Sequence, residues 1–330
     1  MTLDLPVLSA IAATLAISFY VLLDGFDLGV GGLLLTARSE HLRNQIIQTI
    51  SPTWDGNETW LIMTGVILLG AFPVAYSVLL PALYLPLIIM LAALGCRGVS
   101  FEFRAQPKRR IKLWDRAFSW GSIVAALCQG VVVGAALRGI RVEDGRFVGS
   151  SLDVLHPYPI FMGIVLLAGY LTLGAGWIVF RAAGPLRDHA RRQLRVLIPI
   201  FAILGVLAIA FAPAVQPGIG NRWESAGSWL MVLILGFLTM HCLSRRSLDR
   251  RSDAAPFVYV ILAFLFGLTG FVAVVCPNIV PFRISLWDAA SPTGSHVFLL
   301  IGVACVMPVV LAYSAFAYYI FRGKVESHEN

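Results

Sequence analysis

The sequence predicts an all-α polytopic membrane protein of about nine transmembrane helices, and three observations carry that prediction. Of 330 residues, 58% are hydrophobic and only 13% charged, with a mean hydropathy of +0.82, well outside the soluble range. The apolar residues form long continuous runs rather than alternating stretches of about ten, so helices rather than a barrel satisfy the backbone in hydrocarbon. The basic residues, finally, fall overwhelmingly on one side of a nine-span arrangement.

A bilayer core takes about 20 apolar residues per helix. In order, the spans read 5–36, 57–77, 78–98, 117–138, 158–180, 196–213, 226–243, 257–276 and 296–321. No Lys or Arg precedes Arg38, and the first run is too long for a signal-peptide core, so it is expected to stay as a helix. The turn between the second and third spans is the least marked. Alternating the spans from an external N-terminus places 20 of the 25 Lys and Arg on one side: Arg38 and Arg43; Arg97 to Arg116, with Lys108 and Arg109 among them; Arg181 to Arg195; Arg245 to Arg251; Arg322 and Lys324. Only Arg138, Arg141, Arg146, Arg222 and Arg283 fall opposite. Eight spans would scramble this asymmetry. The positive-inside rule then makes the N-terminus external and the C-terminus cytoplasmic, in a bacterial inner membrane. The net charge of +7 is thus a topology signal and not a nucleic-acid footprint.

Little chain is left for a soluble domain, and no linker or charge block divides it, so 1–330 reads as one integral membrane domain. A faint repeat aligns Y20-V-L-L-D-G-F-D-L28 with Y170-L-T-L-G-A-G-W-I178. It predicts two four-helix bundles, 5–138 and 158–276, plus one peripheral helix at 296–321. The cysteines Cys96, Cys128, Cys242, Cys276 and Cys305 show no CxxC spacing and read as small apolar packing residues.

Several polar residues lie where hydrocarbon should exclude them. In D24-G-F-D-L-G-V-G-G32, Asp24 and Asp27 sit three apart, on one helix face about a turn apart, among glycines that let a neighbouring helix approach. A charge within the bilayer costs about 3 kcal/mol on insertion scales, so it faces protein or water and serves a purpose. The stretch W54-D-G-N-E-T-W60 puts Asp55 and Glu58 at the cytoplasmic mouth of the second span, and Arg97 and Glu102 end the third. Five carboxylates and an arginine from three consecutive helices are therefore expected to converge. Carboxylates at graded depth can pass protons inward. The plainer reading makes Asp55 an N-cap completed by Glu58 in a capping-box arrangement, with Arg97 neutralising a carboxylate. Trp54 and Trp60 read as interface-belt residues, with Trp114, Trp120, Trp223 and Trp229.

A haem bound in a helix bundle needs axial ligands that face one another. His41, His156, His189, His241, His296 and His328 all lie in loops, tails or span ends, and only His241 approaches a candidate position. Met63, Met90, Met162, Met231, Met240 and Met307 read as core filler. No metal site, phosphate-cradling loop or nucleophile triad is visible, so the chain alone does not look like a catalyst.

D24-G-F-D-L-G-V-G31, P52-T-W-D-G-N-E-T-W-L61, F72-P-V-A-Y76, R97-G-V-S-F-E-F-R104 and L286-W-D-A289 resemble, in order and spacing, subunit II of the cytochrome bd-type quinol oxidases. Short loops such as that from Ala214 to Glu224 suit a compact member of the cyanide-insensitive kind. The resemblance implies an oxidase that takes electrons from quinol and reduces dioxygen to water, drawing protons from the cytoplasm. It implies haem b and haem d ligated by a partner, the haem-bearing subunit I, and a nine-helix fold pairing with it across a membrane interface. Some members also hold a structural quinone in subunit II, and some complexes carry a small accessory subunit. The acid of the W-D-G-N motif, proposed in the family for proton uptake, matches Asp55. Asp24 and Asp27 match the D-G-F-D acids, Arg97 the family's arginine, and Asn57, Trp287 and Asp288 further motif positions. Glu58 stands where the family has Gln or Glu, and Thr53 where some members have histidine, so no role transfers to Thr53.

A proton- or cation-coupled secondary transporter is the rival reading, suggested by intramembrane carboxylates near glycines and by the repeat. Alternating access favours acids in both halves. Gly174 and Trp177 stand in the second half where Asp24 and Asp27 stand in the first, which favours one-sided proton uptake.

Overall fold

The computed structural model describes residues 4–104, 110–226 and 228–325; Lys108, Arg109 and His328 lie outside them. Twelve α-helices are present among the described residues: α1 (Leu5–Leu33), α2 (Glu40–Gln48), α3 (Trp54–Ala71), α4 (Pro73–Ala82), α5 (Tyr84–Arg104), α6 (Ile111–Arg138), α7 (Pro157–Arg181), α8 (Gly184–Val215), α9 (Pro217–Ala226), α10 (Ser228–Asp249), α11 (Ala255–Val275) and α12 (Thr293–Ile320). Two small antiparallel ladders accompany them, Val142–Glu143 with Arg146–Phe147 and Asn278–Val280 with Ile284–Ser285.

Among the described residues, eight helices are long and apolar enough to cross a membrane. The helix that falls short is α3, whose 18 residues open with Asp55, Asn57 and Glu58. The predicted spans at 57–77 and 78–98 need correcting. The chain breaks at Phe72, where Pro73 lacks an N–H to continue α3 and instead starts α4. The following long helix then begins at Tyr84 rather than at 78. Continuous hydropathy hid both boundaries.

Local chemistry sets the helix starts. The Asp4 carboxylate accepts the Val7 N–H at 3.2 Å ahead of Pro6, and the Ser39 hydroxyl accepts the Leu42 N–H at 3.2 Å. Helix α1 packs on α3, α6 and α7; α7 packs on α6, α8 and α11; α10 packs on α8 and α11; and α12 lies on α3 and α1. The tyrosines that open the two similar stretches converge on one amide: Tyr170 donates to Gln129 Oε1 and Gln129 Nε2 donates to Tyr20, both at 2.7 Å. Among the cysteines only Cys128 is buried; the other four are exposed, so a core-packing role fits that one alone.

At the end rich in Lys and Arg, which we call the basic end, Asp253 clasps three partners: Arg191 at 2.6 Å, Lys324 at 2.5 Å and Arg187 at 3.5 Å. Beside it, Val325 bridges to Ala182, and Arg181 donates to the Phe321 carbonyl. Burial alone would push the Asp253 carboxyl up. Hydrogen bonds from Lys324 and Arg191 and the charge of Arg187 outweigh it and hold the group below its ordinary value. A depressed carboxyl contributes its stability above the unfolded-state value near 3.9 and loses it as pH falls through the lower folded value. Asp253→Asn is therefore expected to loosen the segment after Phe321 at neutral pH, by about 1 kcal/mol for a partly exposed network. Limited proteolysis at Lys324 should read this as faster cleavage, whereas wild type should resist until the pH drops below about 4.

Candidate functional site

The second half of α1, from Asp24 to Leu33, is buried at every position. Helices α3, α6, α7, α11 and α12 pack on α1 and Arg97 reaches it from α5, which forces its two carboxylates into protein. The Arg97 guanidinium, fully buried on α5, reaches across with a single nitrogen. Its Nη1 donates to Asp24 Oδ1 at 2.7 Å and to Glu58 Oε1 at 3.1 Å. The rest of the guanidinium lies near the Trp54 ring, with Cζ 5.6 Å from the ring centroid, an arrangement that adds attraction to the ring face. One turn further along α1, Asp27 Oδ2 accepts from Asn57 Nδ2 at 2.7 Å, and Tyr318 on α12 donates to Asn57 Oδ1 at 3.0 Å. A carboxylate can only accept, which fixes the amide orientation.

The site is thus a ladder from four helices: Glu58, Arg97 and Asp24 on one rung, Asp27, Asn57 and Tyr318 on the next. Asp24, Asp27 and Arg97 have no measurable exposure, whereas the Glu58 side chain is 26% exposed and marks the open side. Asp24 Oδ2, Asp27 Oδ1 and Arg97 Nε and Nη2 find no protein partner. Buried polar atoms in such a state are the places where ordered water joins a network.

Two carboxylates expected to converge do not join the ladder. Asp55 is exposed in the first turn of α3, and Glu102 is exposed near the end of α5. With the α3 phase set by Asn57 and Glu58 facing α1 and α5, Asp55 must point outward. Nor is Asp55 an N-cap: that position is Thr53, which makes no capping bond, so the capping-box reading fails. Trp60 is fully buried and stacks on Phe19 at 4.6 Å, and Trp54 packs on Phe101 at 4.9 Å; Trp60 is therefore no belt residue. Trp287 and Asp288 lie at the other end of the molecule. There Trp287 Nε1 donates to Asp4 Oδ2 at 2.9 Å, and Asp288 accepts from Ser285 at 2.6 Å.

Tyr318 is the residue sequence reasoning did not find. Nothing in its local stretch distinguishes it from Tyr313 or Tyr319, and it meets Asn57 only across 261 positions of chain.

The buried histidines do not fit an axial pair. His241 Nδ1 bonds the Phe237 carbonyl at 2.8 Å with its ring 4.4 Å from Phe237. His296 Nδ1 pairs with Ser9 Oγ at 2.8 Å beside Phe72. His241 is walled by Phe237 and Phe201 and His296 lies against Phe72, and neither ring faces a second ligand among the described residues. Among the described residues no three His, Cys, Asp or Glu gather as a metal site.

Fold and site together define a class: a multi-span helical membrane protein with an arginine–carboxylate network walled into its basic end. The chain matches the family model of cytochrome bd terminal oxidase subunit II over residues 5–321. It belongs to that family, and so to a terminal oxidase complex. It is 28% identical to the cytochrome bd-I ubiquinol oxidase subunit 2 of Escherichia coli K12, covering 94% of this chain and 92% of that protein. It is 27% identical to the cytochrome bd ubiquinol oxidase subunit 2 of Bacillus subtilis, covering 97% and 96%. Its fold is similar to the bd oxidase of Geobacillus thermodenitrificans, with a TM-score of 0.80 at 18% identity over 97% of this chain and 99% of that one.

Proposed function

We propose that this chain is the partner of a haem-bearing subunit I in a quinol oxidase, and that it contributes a cytoplasmic proton-uptake route for reduction of dioxygen to water. The relatives in Escherichia coli and Bacillus subtilis are named for ubiquinol oxidation, which supports a quinol substrate here. Haems b and d, when bound in the complex, supply the electron transfer and oxygen chemistry. They are assigned to subunit I, which is supported by the buried histidines of the described residues, His241 and His296, facing no second ligand. The N-terminus is external, the C-terminus cytoplasmic, and α3 is the ninth span beside the eight apolar ones. The halves 5–138 and 158–276 are duplicated bundles, with α12 outside them.

The observation that carries the reading is the graded exposure of the acids. Asp55 is exposed at the basic end, Glu58 is partly buried one turn deeper, and Asp24 and Asp27 are sealed. Asp55 collects a proton at the cytoplasmic surface and Glu58 receives it through water. Asp24 and Asp27 hold it next, using the carboxylate oxygens that no protein group occupies. Arg97 keeps this run of acids from repelling itself, and Glu102 adds negative charge near the mouth. An amide does not pass protons by simple exchange, so Asn57, oriented by Tyr318, positions Asp27 rather than relaying.

Asp55→Asn is expected to slow quinol oxidation roughly tenfold or more while leaving the reduced-minus-oxidised haem spectrum intact, because the side chain touches nothing in the buried network. Normal turnover would remove Asp55 from the route. Loss of the haems with turnover would make it an assembly residue.

A further inference from the structure

We infer that the end of the molecule opposite the Arg97 ladder carries a binding site for the phosphate of an anionic phospholipid headgroup. A cavity of about 320 Å³ opens there between the ends of α6 and α8, and Arg138, Arg141 and Arg283 all line it. Only five Lys or Arg of the whole chain fall on that side of the alternating spans. That three of those five meet in one cavity runs against the general depletion of positive charge there.

The cations are only partly answered from within the protein. Asp153 is the one acidic residue lining the cavity. Its carboxylate accepts from Arg141 Nη2 at 2.6 Å and from the Ser150 N–H at 3.2 Å. Arg138 donates to the Asp153 carbonyl at 3.1 Å and shares the charge of the single Asp153 carboxylate with Arg141. Three guanidinium groups against one carboxylate leave a local charge of +2. Arginine is the side chain whose planar fork matches phosphate oxygens in pairs.

The surroundings favour an amphiphile over a free ion. Ala135, Ile140 and Val215 give the cavity an apolar floor. On the adjoining loop Val148, Leu152 and Leu155 are exposed at 42%, 61% and 56%, flanking Asp153 with apolar surface where a loop in water would carry polar side chains. Cations over an apolar floor with an apolar fringe match a headgroup whose acyl chains continue into the bilayer.

The test uses the whole complex as purified, stripped of loosely held lipid and examined by native mass spectrometry against added phosphatidylglycerol, phosphatidylcholine or inorganic phosphate. Wild type should retain phosphatidylglycerol over phosphatidylcholine. Arg138→Gln with Arg283→Gln should weaken that binding roughly thirtyfold, on the scale of two lost surface charges, with the thermal midpoint unchanged. Arg146→Gln, at the same end but outside the cavity, should leave it intact. If the double variant fails to assemble, Arg283→Gln alone, on an exposed side chain, should still weaken retention about fivefold. Equal retention of the two lipids, or equal loss in Arg146→Gln, would overturn the proposal. Displacement by millimolar inorganic phosphate would reassign the cavity to a free anion. Absence of lipid from the intact complex would hand the arginines to an acidic loop of the partner subunit.

Discussion

Arg97→Met is expected to destabilise the assembled complex by about 3–5 kcal/mol, the magnitude for breaking a buried ion pair by removing one partner. The substitution keeps much of the side chain's volume but leaves Asp24 and Asp27 sealed with no cation beside them. Yield in mild detergent and the thermal midpoint of the haem-containing complex should both fall. Arg97→Lys should recover part of the loss. A lysine ammonium is a single point charge, whereas Arg97 already spans Asp24 and Glu58 from one nitrogen and lies close to Trp54 with the rest. Arg97→Met combined with Asp24→Asn should lie nearer wild type than Arg97→Met alone, since the remaining charge imbalance is smaller. An Arg97→Met complex with unaltered midpoint and yield would show that the acids need no counter-ion, and would undercut the role given to Arg97.

Gly29→Val should be as damaging for a purely steric reason. A Cβ at Gly29 would sit 1.8 Å from the Tyr170 carbonyl oxygen, and one at Gly174 would sit 2.4 Å from the Gly29 carbonyl carbon. The obstacle in both cases is backbone, so no side-chain rotation relieves it. Helices α1 and α7 would have to separate along the line where they cross most closely. Overpacking a tight core costs about 1–3 kcal/mol when side chains can yield; here the expected loss exceeds that range, with little assembled complex recovered. Gly267→Ala, with nothing within 4 Å of the added carbon, is the matched control and should be nearly silent. Equal recovery of the two variants would contradict the crossing.

The helical class, most spans and the family were legible because hydropathy and short motifs are local signals. The ladder was legible only in part. Asp24, Asp27, Glu58 and Arg97 do converge, as the spacing of charged residues within apolar runs suggested. Asp55 and Glu102 do not, because their direction depends on the rotation of α3 and α5 about their axes, which packing of α3 against α1 and of α5 against α6 decides. The break at Phe72 was hidden because Pro199 and Pro308 also occur and do not end their helices. A proline marks a boundary only when the backbone before it turns. Trp60 was misplaced for a related reason: an aromatic residue near a span end suits the headgroup zone, yet a pocket beside Phe19 takes it into the interior.

The last helix has a consequence for how the protein is made. Within α12 the most apolar window has none of its residues buried inside the chain, yet both of its ends are tied to residues synthesised first. His296 meets Ser9, the residues just before it reach Ala71 and Asp4, and Tyr318 meets Asn57. Until translation passes residue 318, the Asp27–Asn57 pair waits in the membrane without its third member. Completion of this polar interior is thus postponed to the closing moments of synthesis, and a ribosome that stops early releases a subunit whose acid ladder is open on one side.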